Sequence, residues 1–249
     1  MSSFRTEAEL CARFTEAALE HGWTVYPEQA EWDLLLVRSG IQVGVQAKLR
    51  GNIDVLAQAV PEKPGIGGSP HYRSVLVPDL STTGRPRFYR VARSLRVLVF
   101  EHRKQVIKPF QWVDYDSHAV RVLSRWPLRR VLNLRHYRWG GTRVWVPPFV
   151  PEIEAGVPSP QAVGPWQIAA CELEMLFIEH GFVTAIDAKE VTAEVGGTWN
   201  PKTLLSQYFT CTSELAEPGS RHRKWKPMPM PPSRVFPRVW EGYVRSRQP

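Results

Sequence analysis

Leu10, Phe14, Ala17 and Ala18 recur at helical spacing behind the capping sequence Thr6-Glu7-Ala8-Glu9 and ahead of Gly22, which predicts a helix over 6–21. Trp23 to Tyr26 reads as a short strand before Pro27. Two apolar runs, 32–38 and 41–48, follow as strands joined at Ser39-Gly40. Strand side chains alternate, so Ile41, Val43, Val45 and Ala47 are expected on one face and Gln42, Gly44, Gln46 and Lys48 on the other. Asn52 caps a helix reaching Val60. Tyr72 to Pro78 reads as a buried strand, Arg85 to Arg96 as a helix and Val97 to Phe100 as a further strand. An antiparallel meander feeding a crossover helix gives an α/β fold, a mixed central sheet flanked by helices.

Beyond residue 100 the periodicity weakens. Trp112, Trp126, Trp139 and Trp145 alternate with arginines; most are expected in the core, and Arg143 to Val146 as a last strand. The proline-rich stretch that follows is stiff and poor at building a core. It separates an N-terminal domain, 1–146, by a linker, 147–163, from a small domain at 164–217. There Trp166–His180, Asp187–Glu194 and Pro201–Phe209 read as three helices with a Gly196-Gly197 turn, a helix-turn-helix or winged-helix-like module. Residues 218–249 form a basic, proline-rich tail whose Phe236, Val239, Trp240 and Tyr243 point to an end that docks on a domain.

Composition changes this picture in two ways. No run approaches the roughly 18–20 apolar residues of a membrane span, and the N-terminus lacks the apolar core of a signal peptide, so a soluble cytoplasmic protein is expected. Cys11, Cys171 and Cys211 form no C-x-x-C pair, which supports neither a disulfide framework nor a zinc site. The net charge of +8 is uneven: residues 81–150 carry 15 basic and 3 acidic side chains, residues 151–217 carry 2 and 10, and residues 218–249 carry 8 and 1. Such segregation is expected of a protein that holds a polyanion, with DNA as its partner.

The candidate chemistry lies in the hairpin. Asp33 and, thirteen residues on, Gln46-Ala47-Lys48 set an acid, an amide and an ammonium around one point. Asp33 and the Gln46 amide oxygen are hard oxygen donors suited to Mg2+ or Mn2+. Lys48 would hold an attacking water or stabilise charge developing on a phosphate. The same residues also fit a strand-edge charge, a surface amide and an edge-protecting lysine.

Asp33, Gln46 and Lys48 in this order of elements resemble the PD-(D/E)xK, or restriction-endonuclease-like, nuclease superfamily. The similarity is to the variant in which Gln replaces the acid of the E-x-K element, as in Mrr-type restriction enzymes, and covers about residues 6–100. The resemblance implies a metal-dependent DNA nuclease hydrolysing phosphodiester bonds in a phage, restriction or transposition context. It also implies a Glu on the first helix that reaches the metal. Glu9 is the best-placed match, with Glu16 second, but Glu9 equally fits the role of capping its own helix. Gln58 either faces substrate, as the resemblance implies, or is an exposed amide without a role.

Arg85, Arg87, Arg90 and Arg93 recur along the second crossover helix and would track phosphates; the alternative is a solvated helix face. Arg50, Lys202, Arg221, Arg223 and Lys224 complete the expected nucleic-acid contacts. The acidic helical module is expected to contact either DNA or a protein partner, and double-strand cutting would favour a homodimer. The competing reading is an inactive DNA-binding or adaptor protein of the same fold.

Overall fold

Apolar periodicity and local caps set the elements of the chain, here described in a computed structural model for residues 4–60, 68–78, 80, 84–103, 106–109, 143–153, 155–156, 163–197 and 199–248. Contacts divide the chain into two units, the first of residues 1–145 and 153–162, the second of residues 146–152 and 163–249.

In the first unit helix α1 (Glu7–Glu20) starts where the Thr6 hydroxyl accepts from the Glu9 amide at 3.1 Å. Strands β1 (Thr24–Gln29), β2 (Trp32–Arg38) and β3 (Ile41–Ala47) form the antiparallel meander. Helix α2 (Ile53–Gln58), capped by Asn52, crosses over to β4 (Tyr72–Pro78), and α3 (Arg85–Ser94) crosses to β5 (Leu98–Arg103). These two steps make β3, β4 and β5 parallel, and β6 (Val106–Pro109) returns antiparallel to β5. The result is a mixed six-stranded sheet in the order β1-β2-β3-β4-β5-β6.

Leu10, Cys11, Phe14 and Ala18 of α1 pack on Val25, Leu34, Leu36, Val43, Val45, Ala47, Leu76 and Phe100. Trp32, Val75, Val77 and Val99 instead pack with α2 and α3, through Val55, Leu56, Phe88, Tyr89 and Ala92. The alternation expected in β3 therefore holds for Val43, Val45 and Ala47, and helices cover both faces. It fails in β2, where Trp32 and Leu34, two residues apart, join opposite cores. Positive φ at Glu28, Ala30 and Glu31 distorts the start of the strand there. Gly44 is required beneath Trp32, because a Cβ would lie 2.3 Å from the indole.

The last strand expected at 143–146 is absent; residues 143–147 are irregular. The buried Gln42 side chain takes the place of a ladder, donating from Nε2 to Val144 O at 2.7 Å and accepting from Val144 N at 2.9 Å. Trp112, Trp126 and Trp139 lie outside the described residues.

The second unit begins with α4 (Pro165–His180), ended by Gly181 at φ +77, followed by α5 (Ala185–Glu194) and α6 (Pro201–Tyr208). Thr184 caps α5 with Asp187 answering in a capping box, and Asn200 caps α6 ahead of Pro201. A two-stranded antiparallel hairpin follows, β7 (Phe209–Leu215) and β8 (Arg223–Pro227), with Val183 bridged to Trp225. Two helices, α7 (Pro232–Val235) and α8 (Pro237–Arg247), complete the unit.

Two sequence expectations change here. Residues 218–249 are not a separate tail: β8 pairs with β7, Phe236 packs on the α4–α6 core, and the buried Glu174 carboxylate accepts from Ser233 N at 2.6 Å and Ser233 Oγ at 2.5 Å. Nor is 147–163 a linker throughout, since residues 146–152 cluster with the second unit and 153–162 with the first. Phe149 against Gly242 and Glu152 paired with Arg245 at 2.7 Å fasten the former. Among the described residues no helix is long and apolar enough to cross a membrane.

Gln42→Ala should destabilise the protein by about 2–4 kcal/mol, because it strands a buried N–H and C=O of Val144. Denaturant unfolding monitored by tryptophan fluorescence measures this, and a loss under about 1 kcal/mol would mean that water or backbone repairs the pair.

Candidate functional site

The β2–β3 ladder pairs Leu34 with Val45 and places Asp33 opposite Gln46. Beyond that pair the Asp33 side chain takes over, its Oδ2 accepting the Ala47 amide at 2.6 Å. On the other side of β2, Pro27 pairs with Leu34 and Gln29 with Trp32, so Glu28 stands opposite Asp33. Lys48 follows the last residue of β3. Its backbone amide donates to Leu76 O at 3.0 Å and its Nζ donates to Glu7 Oε2 at 2.7 Å. Both partners of that ion pair are about one-third exposed, the lysine side chain at 32% and the glutamate at 28%.

This departs from the sequence expectation at three residues. Gln46 and Lys48 do not act as one face of a strand, because β3 ends at Ala47 and releases Lys48 from the pleat. Gln46 is buried and its Nε2 donates to Glu31 O at 2.5 Å, while Lys48 reaches α1. Glu9, the expected ligand from the first helix, is exposed and its carboxylate accepts from Arg5 N at 2.7 Å, a capping role. Glu7 is the acid that α1 delivers. The helical period carried that signal: Glu7 extends the buried stripe of Leu10, Cys11, Phe14 and Ala18, whereas Glu9 falls on another face. Glu28, also unforeseen, depends on strand pairing that sequence periodicity does not specify.

Among the described residues the electrostatics are those of acids gathered around Lys48. Burial pushes the Asp33 carboxyl up; the Ala47 amide and Lys48 oppose the shift, and Glu7 adds to it. Glu28 is likewise raised by burial, against the Gly156 amide that binds it, with Asp33 adding to the rise. Burial works to lower the Lys48 ammonium, but the hydrogen bond and charge of Glu7, with help from Asp33, hold it above its ordinary value. The Cys11 thiol, buried in α1 beside these acids, is driven far up, first by burial and then by Asp33, Glu28 and Glu7, and stays protonated.

Among the described residues no group of three His, Cys, Asp or Glu is placed to hold a metal ion. The hard oxygen donors that act on Lys48 are the carboxylates of Asp33 and Glu7, a donor chemistry that fits Mg2+ or Mn2+, whereas the Gln46 amide is engaged through Nε2 with Glu31 O. Among the described residues the raised carboxyls of Asp33 and Glu28 have Lys48 as the cation that opposes the rise, and a divalent cation would act in the same direction.

The expected nucleic-acid contacts divide. Arg87, Arg90 and Arg93 are exposed on α3, and Arg50 and Gln58 are exposed near β3 and on α2. Arg85 belongs to the scaffold. Its guanidinium donates to the buried Glu101 at 2.9 Å and to Leu80 O at 2.6 Å, while Tyr89 Oη donates to the same carboxylate at 2.6 Å. In the second unit Lys202, Arg221 and Arg223 are exposed. Lys224 is partly engaged, 3.6 Å from Glu214 and over the Phe182 ring at 4.9 Å. No protein family, no curated protein and no solved structure matches the chain.

Asp33→Asn keeps an oxygen acceptor for the Ala47 amide and removes the ionised form that burial disfavours. Because the folded-state pKa is raised, the penalty is absent below the ordinary carboxyl range, grows as pH rises and is complete above the folded pKa. Without added metal the variant should therefore exceed wild type in stability at pH 7, the gap closing toward about pH 4. Denaturant midpoints across that range measure it, and a variant less stable at pH 7 would mean that the Lys48 attraction outweighs burial.

Proposed function

We propose that the first unit is a metal-dependent DNA nuclease of the restriction-endonuclease-like kind. The observation that carries this reading is the convergence of Asp33, from β2, and Glu7, from α1, on Lys48 just past β3. Asp33 and the Gln46 amide oxygen, with Glu7 in place of Glu9, would hold Mg2+ or Mn2+. When bound, that ion supplies Lewis-acid charge and a water more easily deprotonated than bulk water. Lys48 positions the attacking oxygen or neutralises charge appearing on the phosphate. Glu7 holds the ammonium in place until substrate competes for it.

The second unit we read as winged-helix-like, its three helices followed by a hairpin in the position of a wing. It presents Lys202, Thr203, Ser206 and Gln207 from α6 and Arg221 and Arg223 from the hairpin. With ten acidic and ten basic side chains it has no net charge. Several of its acids are matched internally, Glu172 by Arg247, Glu152 by Arg245 and Glu214 by Lys224. Attraction to DNA there rests on local groups rather than on net charge, and the same matching weakens a partner-protein role for the acidic helices. An inactive DNA-binding or adaptor protein remains the second reading, supported by Gln46 in place of an acid. Action in a phage, restriction or transposition setting, in the cytoplasm and as a homodimer, belongs to the first.

Asp33→Asn, Glu7→Gln and Lys48→Met should each lower Mg2+-dependent plasmid cleavage by about 100-fold or more with duplex affinity retained, and Glu9→Gln should leave it near wild type. Equal losses in Glu7 and Glu9 variants would sink the reassignment, and a wild type inert with both Mg2+ and Mn2+ would favour the binding protein.

Arg87→Ala with Arg90→Ala should reduce the salt slope of log affinity for duplex DNA by about 1.8, one phosphate each. Arg85→Ala should instead destabilise the fold by about 3–5 kcal/mol, leaving Glu101 buried without its cation. Fluorescence anisotropy over a salt series, paired with thermal unfolding, separates the two; a slope change from Arg85 without destabilisation would return it to the DNA surface.

A further inference from the structure

The chain enters the second unit and then returns to the first before leaving it again. Glu152 is held in the second unit by Arg245, and residues 153–162 cluster with the first. Two described residues of the return lie beside the candidate site. Ala155 packs on the α1 side of the sheet. Gly156 donates its amide to Glu28 Oε1 at 2.8 Å.

Gly156 is constrained twice over. Its φ of +77 is left-handed, and a Cβ there would lie 3.0 Å from the carbonyl carbon of Glu7 and 3.1 Å from the Ala8 nitrogen. Those are backbone atoms of the first turn of α1, which cannot swing aside as a long side chain would. The turn thus touches both unforeseen acids of the site: through its amide it holds Glu28, opposite Asp33, and through its missing side chain it lies flush against Glu7, which holds Lys48.

We propose that Gly156 is a positioning residue of the candidate site, and that the site is complete only while the Ala155–Gly156 turn is docked. Docking fixes the Glu28 carboxylate and the start of α1, and so fixes the Glu7–Lys48 pair beside Asp33. The turn comes from chain that follows residues 146–152 in sequence and belongs to the first unit. Residues 1–146 alone therefore lack a part of the site. This rests on the phosphodiester reading for its catalytic consequence, but not for the docking itself.

The test uses Cys11 as a reporter in the full chain. Cys11 is fully buried in α1, one turn beyond Glu7, and Cys171, buried in α4, is an internal control once exposed Cys211 is replaced by Ser. Gly156→Val should raise the thiol-labelling rate of Cys11 by about tenfold with that of Cys171 unchanged, as expected of an L residue forced into the left-handed region against backbone. In the same variant kcat for Mg2+-dependent cleavage should fall by about tenfold or more while duplex-DNA affinity stays within about twofold. A folded Gly156→Val protein whose Cys11 labels at the wild-type rate overturns the proposal. Should Cys11 accelerate in a protein that cuts no DNA form even as wild type, the docking stands and the nuclease reading falls. If Gly156→Val does not fold, Glu28→Ala replaces it. Amide exchange at Gly156 should then quicken by about tenfold, and unchanged exchange counts against the proposal.

Discussion

The hydrogen bond from the Ala47 amide to Asp33 Oδ2 stands where the β2–β3 ladder gives out, and much of the first unit's arrangement follows from it. It satisfies a strand-end donor with a side chain, so the acid is fixed and half-buried at the rim of the sheet. Burial makes that carboxylate costly to ionise, Glu7 nearby makes it costlier, and Asp33 in turn adds to the rise at Glu28. Lys48, freed from the pleat one residue later, returns part of that cost and ties the rim to the first turn of α1. Among the described residues acids gather around Lys48, the condition under which added positive charge is favoured.

Other buried carboxylates act as fasteners. Glu101 gathers Leu80 N, Arg85 and Tyr89, which pins α3 to β5 and leaves Arg87, Arg90 and Arg93 facing outward. Glu174 does the same for the second unit, receiving the backbone and hydroxyl of Ser233 and so securing the chain between the hairpin and α8. In each case a charge that burial would penalise is matched by more than one donor. On α3, Arg85 therefore holds the scaffold through its buried partner Glu101, while Arg87 and Arg90 are exposed, a difference set by position on the helix rather than by residue type.

The amino-acid sequence by itself determined the helices α1–α6, the meander, the crossovers and the apolar faces of α1 and β3, because caps, turn residues and apolar periods are local and act over a few residues. It placed the Asp33–Lys48 hairpin correctly as two strands joined at Ser39-Gly40. Tertiary structure decided what that hairpin meets. The choice of Glu7 over Glu9 turned on which acid continued a buried stripe; Glu28 entered only through β1–β2 pairing; Gly156 came from more than a hundred residues away. The replacement of a strand at 143–146 by the Gln42 amide, and the folding of the basic C-terminal segment onto acidic helices, likewise depend on contacts between distant residues. Local propensity fixes φ and ψ and the period of burial, whereas a site made of charges is assembled by chain segments whose separation in sequence carries no signal of their approach in space.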